Sequence, residues 1–202
     1  MPKILIGTNN LGKQKEIYAI LSELKDVMIT PTVLGLRLEV EEDGSTYQEN
    51  AAKKAVAYAQ TSGLISLADD TGLEVEALNG APGLYSARFA PGAQATDADR
   101  RSYLLQRLQN HPQPWQARFR CIVAIAKPGG SIAFTEGTCQ GEIIPDERGL
   151  HGFGYDSIFL IPSIGRTMAE LSMEEKNQLS HRALAVNAAR PILLQLLTPS
   201  ES

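Results

Sequence analysis

The chain has 202 residues, of which 43% are hydrophobic and 21% charged, a balance typical of globular proteins. Its formal net charge of −4 argues against a protein that coats nucleic acid, although a few well-placed cations can still bind an anionic small molecule. No apolar run approaches the roughly 20 residues that a membrane helix needs, and we recognise no signal peptide. Two cysteines without metal-type spacing indicate reduced thiols, which are typical of a cytoplasmic protein. From the charge and the apolar runs, we expect neither nucleic-acid nor membrane partners.

The N-terminal part of the chain predicts a strand followed by two helices. Residues 3–7 form a short apolar run typical of a buried strand, and apolar residues recur at helical spacing from Leu11 onward. Thr46 and Glu49 form a capping-box pattern, which indicates a second helix that extends to about Gln60.

Two adjacent carboxylates follow the next apolar run. Residues 64–68 predict another buried strand, which we expect to end at Asp69 and Asp70, with a turn at Thr71-Gly72. Consecutive side chains on extended backbone point to opposite faces, so only one of the two carboxylates is expected to face a given site. A buried carboxylate is costly unless a positive charge compensates it, and the sequence therefore predicts a cation close to this pair.

The C-terminal half predicts both helices and strands. Residues 96–108 form a helix with a threonine N-cap, and residues 180–197 form the last helix. Residues 117–126 and 132–144 read as long strands joined by a Pro-Gly-Gly segment, which favours an antiparallel hairpin, and residues 157–161 read as a short strand. Strands that alternate with helices, together with a hairpin, predict an α/β fold with a mixed sheet flanked by helices.

Residues 7–13, GTNNLGK, connect the first strand to the first helix and combine short polar side chains with Lys13. Backbone N–H groups at a helix N-terminus attract phosphate, whereas an ordinary strand-to-helix turn explains the same composition. The segment is neither a Walker loop nor a GxGxxG loop. From the residues alone, both interpretations stay open.

Acidic residues and lysines precede the two aspartates along the chain. The acidic segment 40–44 is by itself a solvated loop, but together with Asp70 it suggests an oxygen-rich site of the kind that suits Mg²⁺ and phosphate oxygens. Lys53 and Lys54 lie about 100° apart on the predicted helix, so at most one can face such a site. For either lysine, a solvated surface position is the alternative.

Three later segments carry further candidates. In the glycine-rich segment 149–157, Phe153 or Tyr155 could stack on a flat base, or the aromatic rings could simply pack the loop itself. Residues 180–182, SHR, contribute a histidine and an arginine, or only a helix-capping serine followed by surface polar groups. In segment 80–89 we expect the tyrosine to pack against the core.

In combination, these segments resemble one family. TNNLGK, the acidic segment before a lysine-bearing helix, ADDTGLEVEALNGAPGLYSAR, GFGYDSIF, EEK and SHR occur in the order known from the inosine triphosphate pyrophosphatases, also called dITP/XTP pyrophosphatases. The resemblance extends from Lys3 to the last helix. It implies an elongated α/β fold with a mixed β-sheet flanked by helices, two lobes with a central cleft, a single domain over residues 1–202, and a homodimer. It also implies Mg²⁺-dependent cleavage of ITP, dITP and XTP to the monophosphate and pyrophosphate, which cleanses the nucleotide pool.

The resemblance further implies roles for individual residues. Glu42 and Asp70 match the metal-binding carboxylates, with Asp70 also the catalytic proton acceptor, and Lys54 matches a catalytic lysine near the phosphates. Thr71 matches a substrate contact and Arg88 a further site residue. The other matches form two sets: the triphosphate-binding loop of Thr8, Asn9, Asn10, Leu11, Gly12 and Lys13, and the base-binding residues Phe153, Gly154, Tyr155, Asp156, Lys176, His181 and Arg182.

The chain departs from the family pattern at a few positions. Asn9 stands where Gly is common, and Asn is the best substitute if the turn requires a positive φ. Thr71 stands where Ser is common in the family, and Ser157 stands where Pro is frequent.

Two other functions stay open: cleavage of modified pyrimidine nucleotides, and a sensor that binds nucleotides without cleaving them. A carboxylate placed to activate water argues against the sensor.

Overall fold

The computed structural model describes residues 3–198. Its seven strands form one mixed sheet in the order β2-β1-β3-β4-β5-β6-β7. Their bounds are Ile4–Ile6 (β1), Met28–Ile29 (β2), Ile65–Val75 (β3), Trp115–Ala126 (β4), Ile132–Ile143 (β5), Phe159–Ile161 (β6) and Arg166–Thr167 (β7). Strand β1 runs parallel to β2 and β3, whereas β6 runs antiparallel to β5 and β7. Because β4 and β5 are neighbours joined by a connection far too short for a parallel crossover, they form the predicted hairpin.

Five α-helices accompany the strands of the described residues, and short polar side chains cap most of them. They are Leu11–Ile20 (α1), Tyr47–Ser62 (α2), Asp97–Leu108 (α3), Met173–Leu179 (α4) and His181–Leu197 (α5). The Thr96 side chain caps α3 in a complete capping box with Asp99. Thr46 caps α2 as predicted, but the carboxylate of Glu49 accepts from the N–H of Ser45, one residue beyond the expected partner. The mixed α/β architecture is therefore confirmed.

Three local predictions are wrong. Strand β3 does not end at the aspartates but continues through Thr71-Gly72 to Val75, because the carboxylates are compensated and the backbone has no reason to turn. Residues 156–158 form a turn of 3₁₀ helix rather than the start of a strand, so β6 begins only at Phe159. Tyr85, expected in the core, is 64% exposed, because segment 83–88 is a 3₁₀ helix that directs this side chain outward.

The chain divides into two compact units, each with its own hydrophobic core. Within the described residues, unit 1 contains residues 3–70, 121–137 and 182–198, and unit 2 contains residues 71–120 and 138–181. The core of unit 1 is built from β1, α1 and the inner face of α5, with Ile4, Ile17 and Leu193 fully buried. The core of unit 2 includes Leu104 of α3 and Phe159 of β6. The predicted elongated shape, the cleft and the single domain stay predictions, and the outermost residues of that domain lie outside the described range.

Both cysteines are free, as predicted, and the structure buries both of them. Over residues 3–198, no helix is long and apolar enough to cross a membrane.

Candidate functional site

Lys54 lies between two carboxylates in unit 1. Its Nζ is 2.5 Å from Oε1 of Glu42 and 3.4 Å from Oδ1 of Asp70. Lys53, the next residue on α2, points to solvent and pairs with Asp43 at the surface. Of the two lysines, Lys54 alone contacts Glu42 and Asp70, because neighbouring side chains on a helix point in different directions.

The electrostatics of this cluster are set by burial and by the surplus of negative charge. Burial alone would lower the pKa of Lys54, but the charges of Asp70, Asp69 and Glu42 outweigh it and raise that pKa. Burial raises the pKa of Asp70, and the charge of Glu42 raises it further, against the opposing effect of Lys54 and Lys13. Asp70 therefore accepts a proton more readily than an isolated aspartate.

Asn50, which the sequence did not single out, connects the acidic segment to Asp70. It is buried on α2, its Nδ2 donates to Oδ2 of Asp70 at 3.2 Å, and its Oδ1 accepts from the N–H of Gly44 at 2.8 Å. A Cβ at position 44 would lie 2.6 Å from that Oδ1, so glycine is needed for the close approach. The sequence feature that could have identified Asn50 is its spacing from Lys54, because residues four apart share one face of α2.

Asp69 belongs to a separate ion cluster in unit 1. Its Oδ2 is 3.0 Å from Nζ of Lys13 and 3.3 Å from both Nε and Nη2 of Arg182. The guanidinium of Arg182 also donates to Glu16 of α1, and Glu16, Asp69 and Arg182 are all buried. Burial would raise the pKa of Asp69, but Lys13, Arg182 and Lys54 outweigh it and hold that pKa far below its usual value. The predicted contact of Arg182 with a base stays a prediction.

The predicted triphosphate loop forms a capped helix start. Oδ1 of Asn10 accepts from the N–H of Lys13 at 3.0 Å, and Oγ1 of Thr8 accepts from the N–H of Asn10 at 3.2 Å. Asn9, Asn10 and Leu11 are exposed, whereas Lys13 turns inward to Asp69. Within residues 3–198, only Asn79 among non-glycine residues has a positive φ, so Asn9 meets no such requirement.

In unit 2, Asp156 and Lys176 form a buried pair beneath Phe153. Nζ of Lys176 is 2.7 Å from Oδ2 of Asp156, the same oxygen accepts from the N–H of Phe153 at 2.9 Å, and the ammonium lies 5.2 Å from the centroid of the Phe153 ring. Gly152 has φ +79°, and a Cβ there would lie 2.1 Å from Oδ2 of Asp156. The glycine is therefore required both by the backbone conformation and by the carboxylate packed against it.

The other predicted base-binding residues differ in accessibility. Tyr155 is buried in the core of unit 2 and its hydroxyl donates to the carbonyl of Ser86 at 2.9 Å, so of the two aromatic candidates only Phe153 keeps a partly exposed ring. His181 is buried and stacks on Phe119, with ring centroids 4.6 Å apart.

Two further candidates, Thr71 and Arg88, lie in unit 2. Thr71 is half-buried on β3. Arg88 is exposed, with its guanidinium 5.9 Å from the centroid of the Tyr85 ring.

The donor set of unit 1 fits a magnesium ion only with help from a substrate. In the part of the chain that the structure describes, no three His, Cys, Asp or Glu side chains are grouped so that they could hold a metal by themselves. Glu42 and Asp70 nevertheless converge on one ammonium, which shows that both can approach a common cation. Mg²⁺ is commonly bound by one or two carboxylates together with phosphate oxygens and water, so these two residues are sufficient.

Comparisons with known proteins cover nearly the whole chain. The family model described as the Ham1 family matches residues 4–192. A dITP/XTP pyrophosphatase of Desulforamulus reducens is 46% identical over 200 residues, which is 98% of this chain and 99% of that protein. The structure is similar to a HAM1 protein from Coxiella burnetii, with a TM-score of 0.86, 39% identity, and coverage of 96% of this chain and 100% of that one. It is also similar to the Staphylococcus aureus Ham1 protein, with a TM-score of 0.83, 39% identity, and coverage of 96% and 99%.

Proposed function

The chain belongs to the Ham1 family, and we propose that it hydrolyses the deaminated purine nucleotides ITP, dITP and XTP to the monophosphate and pyrophosphate. Its relative from Desulforamulus reducens carries the name dITP/XTP pyrophosphatase, and that likeness spans both chains almost completely. The protein is accordingly a nucleoside triphosphate pyrophosphatase, a hydrolase of the anhydride between the α- and β-phosphates. It removes non-standard purine nucleotides from the nucleotide pool, and we expect it to do so in the cytoplasm.

The observation that carries the proposal is the cluster of Glu42, Lys54 and Asp70. Two carboxylates and an ammonium converge within hydrogen-bonding distance, and the pKa of Asp70 is raised chiefly by burial. Such a perturbed carboxylate beside a specific charge partner is typical of a catalytic site. A pure sensor has no need of a carboxylate of this kind, so the cluster favours cleavage over binding alone.

In the proposed reaction, water attacks the α-phosphorus and pyrophosphate leaves. Asp70 accepts the proton of the attacking water, while Asn50 holds Oδ2 of Asp70 and so leaves Oδ1 directed toward Lys54. Lys54 and Lys13 neutralise negative charge on the phosphates, because phosphoryl transfer depends mainly on positioning and charge stabilisation. Mg²⁺ held by Glu42 and Asp70 would polarise phosphate oxygens and lower the pKa of water.

We assign triphosphate binding to the segment that leads into α1, and base stacking to Phe153. The exposed start of α1, with Thr8, Asn9 and Asn10, offers N–H and polar donors to phosphate oxygens. Phe153 presents a partly exposed ring for stacking, with the Asp156–Lys176 pair beneath it. Thr71, Arg88, His181 and Arg182 are the further candidates for substrate contact.

A product assay tests the proposed reaction. ITP, dITP, XTP, ATP, GTP and a set of modified pyrimidine triphosphates are incubated with the enzyme, with Mg²⁺ or with a chelator, and the products are identified by phosphorus NMR. We expect the monophosphate and pyrophosphate from the three deaminated purines, only with Mg²⁺. Diphosphate and orthophosphate would overturn the assigned cleavage point, preferred cleavage of pyrimidines would favour the second candidate activity, and binding without turnover would favour a sensor.

The oligomeric state belongs to the same proposal. We propose a homodimer, which light scattering coupled to size-exclusion chromatography tests directly. A mass close to that of one 21.9 kDa chain over a wide range of concentrations would contradict it.

A further inference from the structure

Helix α3 holds both polar groups of the Gly154 backbone. Oδ2 of Asp97 accepts from the N–H of Gly154 at 2.7 Å, and Nη1 of Arg101 donates to the carbonyl oxygen of Gly154 at 2.9 Å. Asp97 and Arg101 are four residues apart, so they project from one face of α3. Gly154 has φ +64°, which glycine adopts without strain. The two peptide groups that flank this glycine are therefore held by side chains from a different element.

The same arginine also restrains the far end of the glycine-rich segment. Nη2 of Arg101 lies 2.9 Å from Oε2 of Glu147, and that oxygen accepts from the hydroxyl of Ser157 at 2.9 Å. In the middle of the segment, the N–H of Phe153 donates to Asp156, and the N–H of the next residue, Gly154, donates to Asp97. The backbone on both sides of Phe153 is thus directed by carboxylates.

These contacts are charge-assisted and partly shielded from water. Burial would raise the pKa of Asp97, but the hydrogen bond from Gly154 and the charge of Arg100 outweigh it and lower that pKa. Hydrogen bonds to ionised groups are shorter and stronger than neutral ones, and the two Gly154 contacts lie within the expected distances. Asp97 and Arg101 make these contacts with Gly154, Arg100 and Glu147.

We infer that Asp97 and Arg101 are positioning residues for nucleobase recognition: they hold the Gly154 peptide groups so that Phe153 presents its ring to the base. The inference rests on the proposed function, because it needs Phe153 to contact the base. It adds a determinant of base affinity that lies outside the base-binding segment itself. Since the two side chains hold backbone and not substrate, their loss should weaken binding of the base and leave binding of the phosphates intact.

The test separates the base from the phosphates. Dissociation constants of IMP and of inorganic pyrophosphate with Mg²⁺ are measured by calorimetry, alongside kcat and KM for ITP, in wild type, Arg101→Ala, Asp97→Ala and Asp97→Asn. For the two alanine variants we expect IMP to bind about tenfold or more weakly and KM for ITP to rise similarly, the scale of losing one hydrogen bond to a charged group. Pyrophosphate affinity and kcat should change by less than about twofold.

Two matched variants distinguish positioning from general loss of structure. Asp97→Asn keeps an oxygen that can accept from the Gly154 N–H, so it should retain most of the IMP affinity that Asp97→Ala loses. Arg107→Ala removes another arginine from the same helix, one whose recorded contacts are with Tyr103, and should leave every constant unchanged. Melting curves establish that the variants are folded at the assay temperature.

The outcomes are decisive in both directions. Unchanged IMP affinity in folded Arg101→Ala and Asp97→Ala would overturn the inference, and so would an equal loss of IMP and pyrophosphate affinity. If wild type binds IMP but cleaves no deaminated purine triphosphate, the proposed function fails, while the IMP measurements still decide the role of α3.

Discussion

Asp69 and Asp70 are consecutive residues of β3, yet their carboxylates belong to two different ion clusters of unit 1. Asp69 pairs with Lys13 and Arg182, whereas Asp70 pairs with Lys54 and accepts from Asn50. The opposite directions of successive side chains on a strand separate the two carboxylates, so each finds its own compensating charge. The pKa of Asp69 is lowered and that of Asp70 is raised, and the two acids are accordingly suited to different tasks.

Asp70→Asn should abolish most of the activity and leave the fold intact. The amide cannot accept the proton of the attacking water, so we expect kcat for ITP to fall by about 10²-fold or more, the scale of one positioned acid–base group. Turnover by product assay and the melting curve are measured together. Asp43→Asn, which removes an exposed carboxylate from the same acidic segment, serves as the control and should keep its activity. Near-normal turnover in a folded Asp70→Asn protein would remove Asp70 from the mechanism.

Asp69→Asn should act mainly through stability. It leaves Lys13 and Arg182 without the buried carboxylate that they share, and breaking a buried ion pair from one side costs roughly 3–5 kcal/mol. The free energy of unfolding is obtained from urea denaturation at pH 7. A loss no larger than that of the surface variant Asp43→Asn would show that the cluster contributes nothing to stability.

The stability difference between wild type and Asp69→Asn should depend on pH. Because the pKa of Asp69 is lowered in the folded protein, its contribution is fully present above the pKa of an unfolded aspartate, about 3.9, and is lost as the pH falls below that value. The urea midpoints of the two proteins should differ by a constant amount from pH 7 to about pH 5 and converge at lower pH. A difference that grows on acidification would contradict the sign of this shift.

Arg182→Ala tests whether this buried arginine also reads the base. A guanidinium has only donors, so it can pair with the C6 oxygen of hypoxanthine but not with the C6 amino group of adenine. Leaving a buried donor unpaired costs about 1–3 kcal/mol, so we expect wild type to use ATP poorly and Arg182→Ala to reduce the ratio of kcat/KM for ITP and ATP. An unchanged ratio would limit Arg182 to its pairs with Asp69 and Glu16.

Gly152→Ala should weaken substrate binding, whereas Gly165→Ala should not. The backbone φ is +79° at Gly152 and +65° at Gly165, so alanine at either position carries a similar backbone strain of roughly 1 kcal/mol. Only at position 152 would the Cβ also displace Asp156, because nothing lies within 4 Å of the Cβ site at Gly165. KM for ITP and the melting temperature of both variants are compared. Equal KM values would mean that the Asp156–Lys176 pair is not needed for binding.

Neither cysteine should react in the native protein. Burial raises the pKa of Cys139 to about 11, so this thiol is rarely ionised at pH 8, and Cys121 is fully buried and inaccessible to reagents. A thiol-specific chromogenic disulfide reagent should modify no thiol in native protein and two thiols in urea. Rapid modification without denaturant would show that the core of one unit opens readily.

Local pattern predicted the elements that depend on local interactions. Thr96 as an N-cap indicated the start of α3, and the spacing of apolar residues after Leu11 indicated α1, because a cap and one buried helix face are properties of neighbouring residues. The very short strands β2 and β7 and the helix α4 were not predicted, since two residues carry no recognisable period and α4 has few apolar residues.

The sequence by itself determined the α/β class, and it supplied the candidate site residues and the expectation that at most one of Lys53 and Lys54 faces the site. Only the tertiary structure decided that Asp69 pairs with Arg182, 113 positions away, that Asn50 holds Asp70, and that α3 holds Gly154. The tertiary structure also decided that β3 continues past Asp69 and Asp70, where a turn was expected. The physical reason is the same in each case: the free energy of a buried charge or peptide group depends on which partner the fold brings to it, and sequence spacing does not contain that distance.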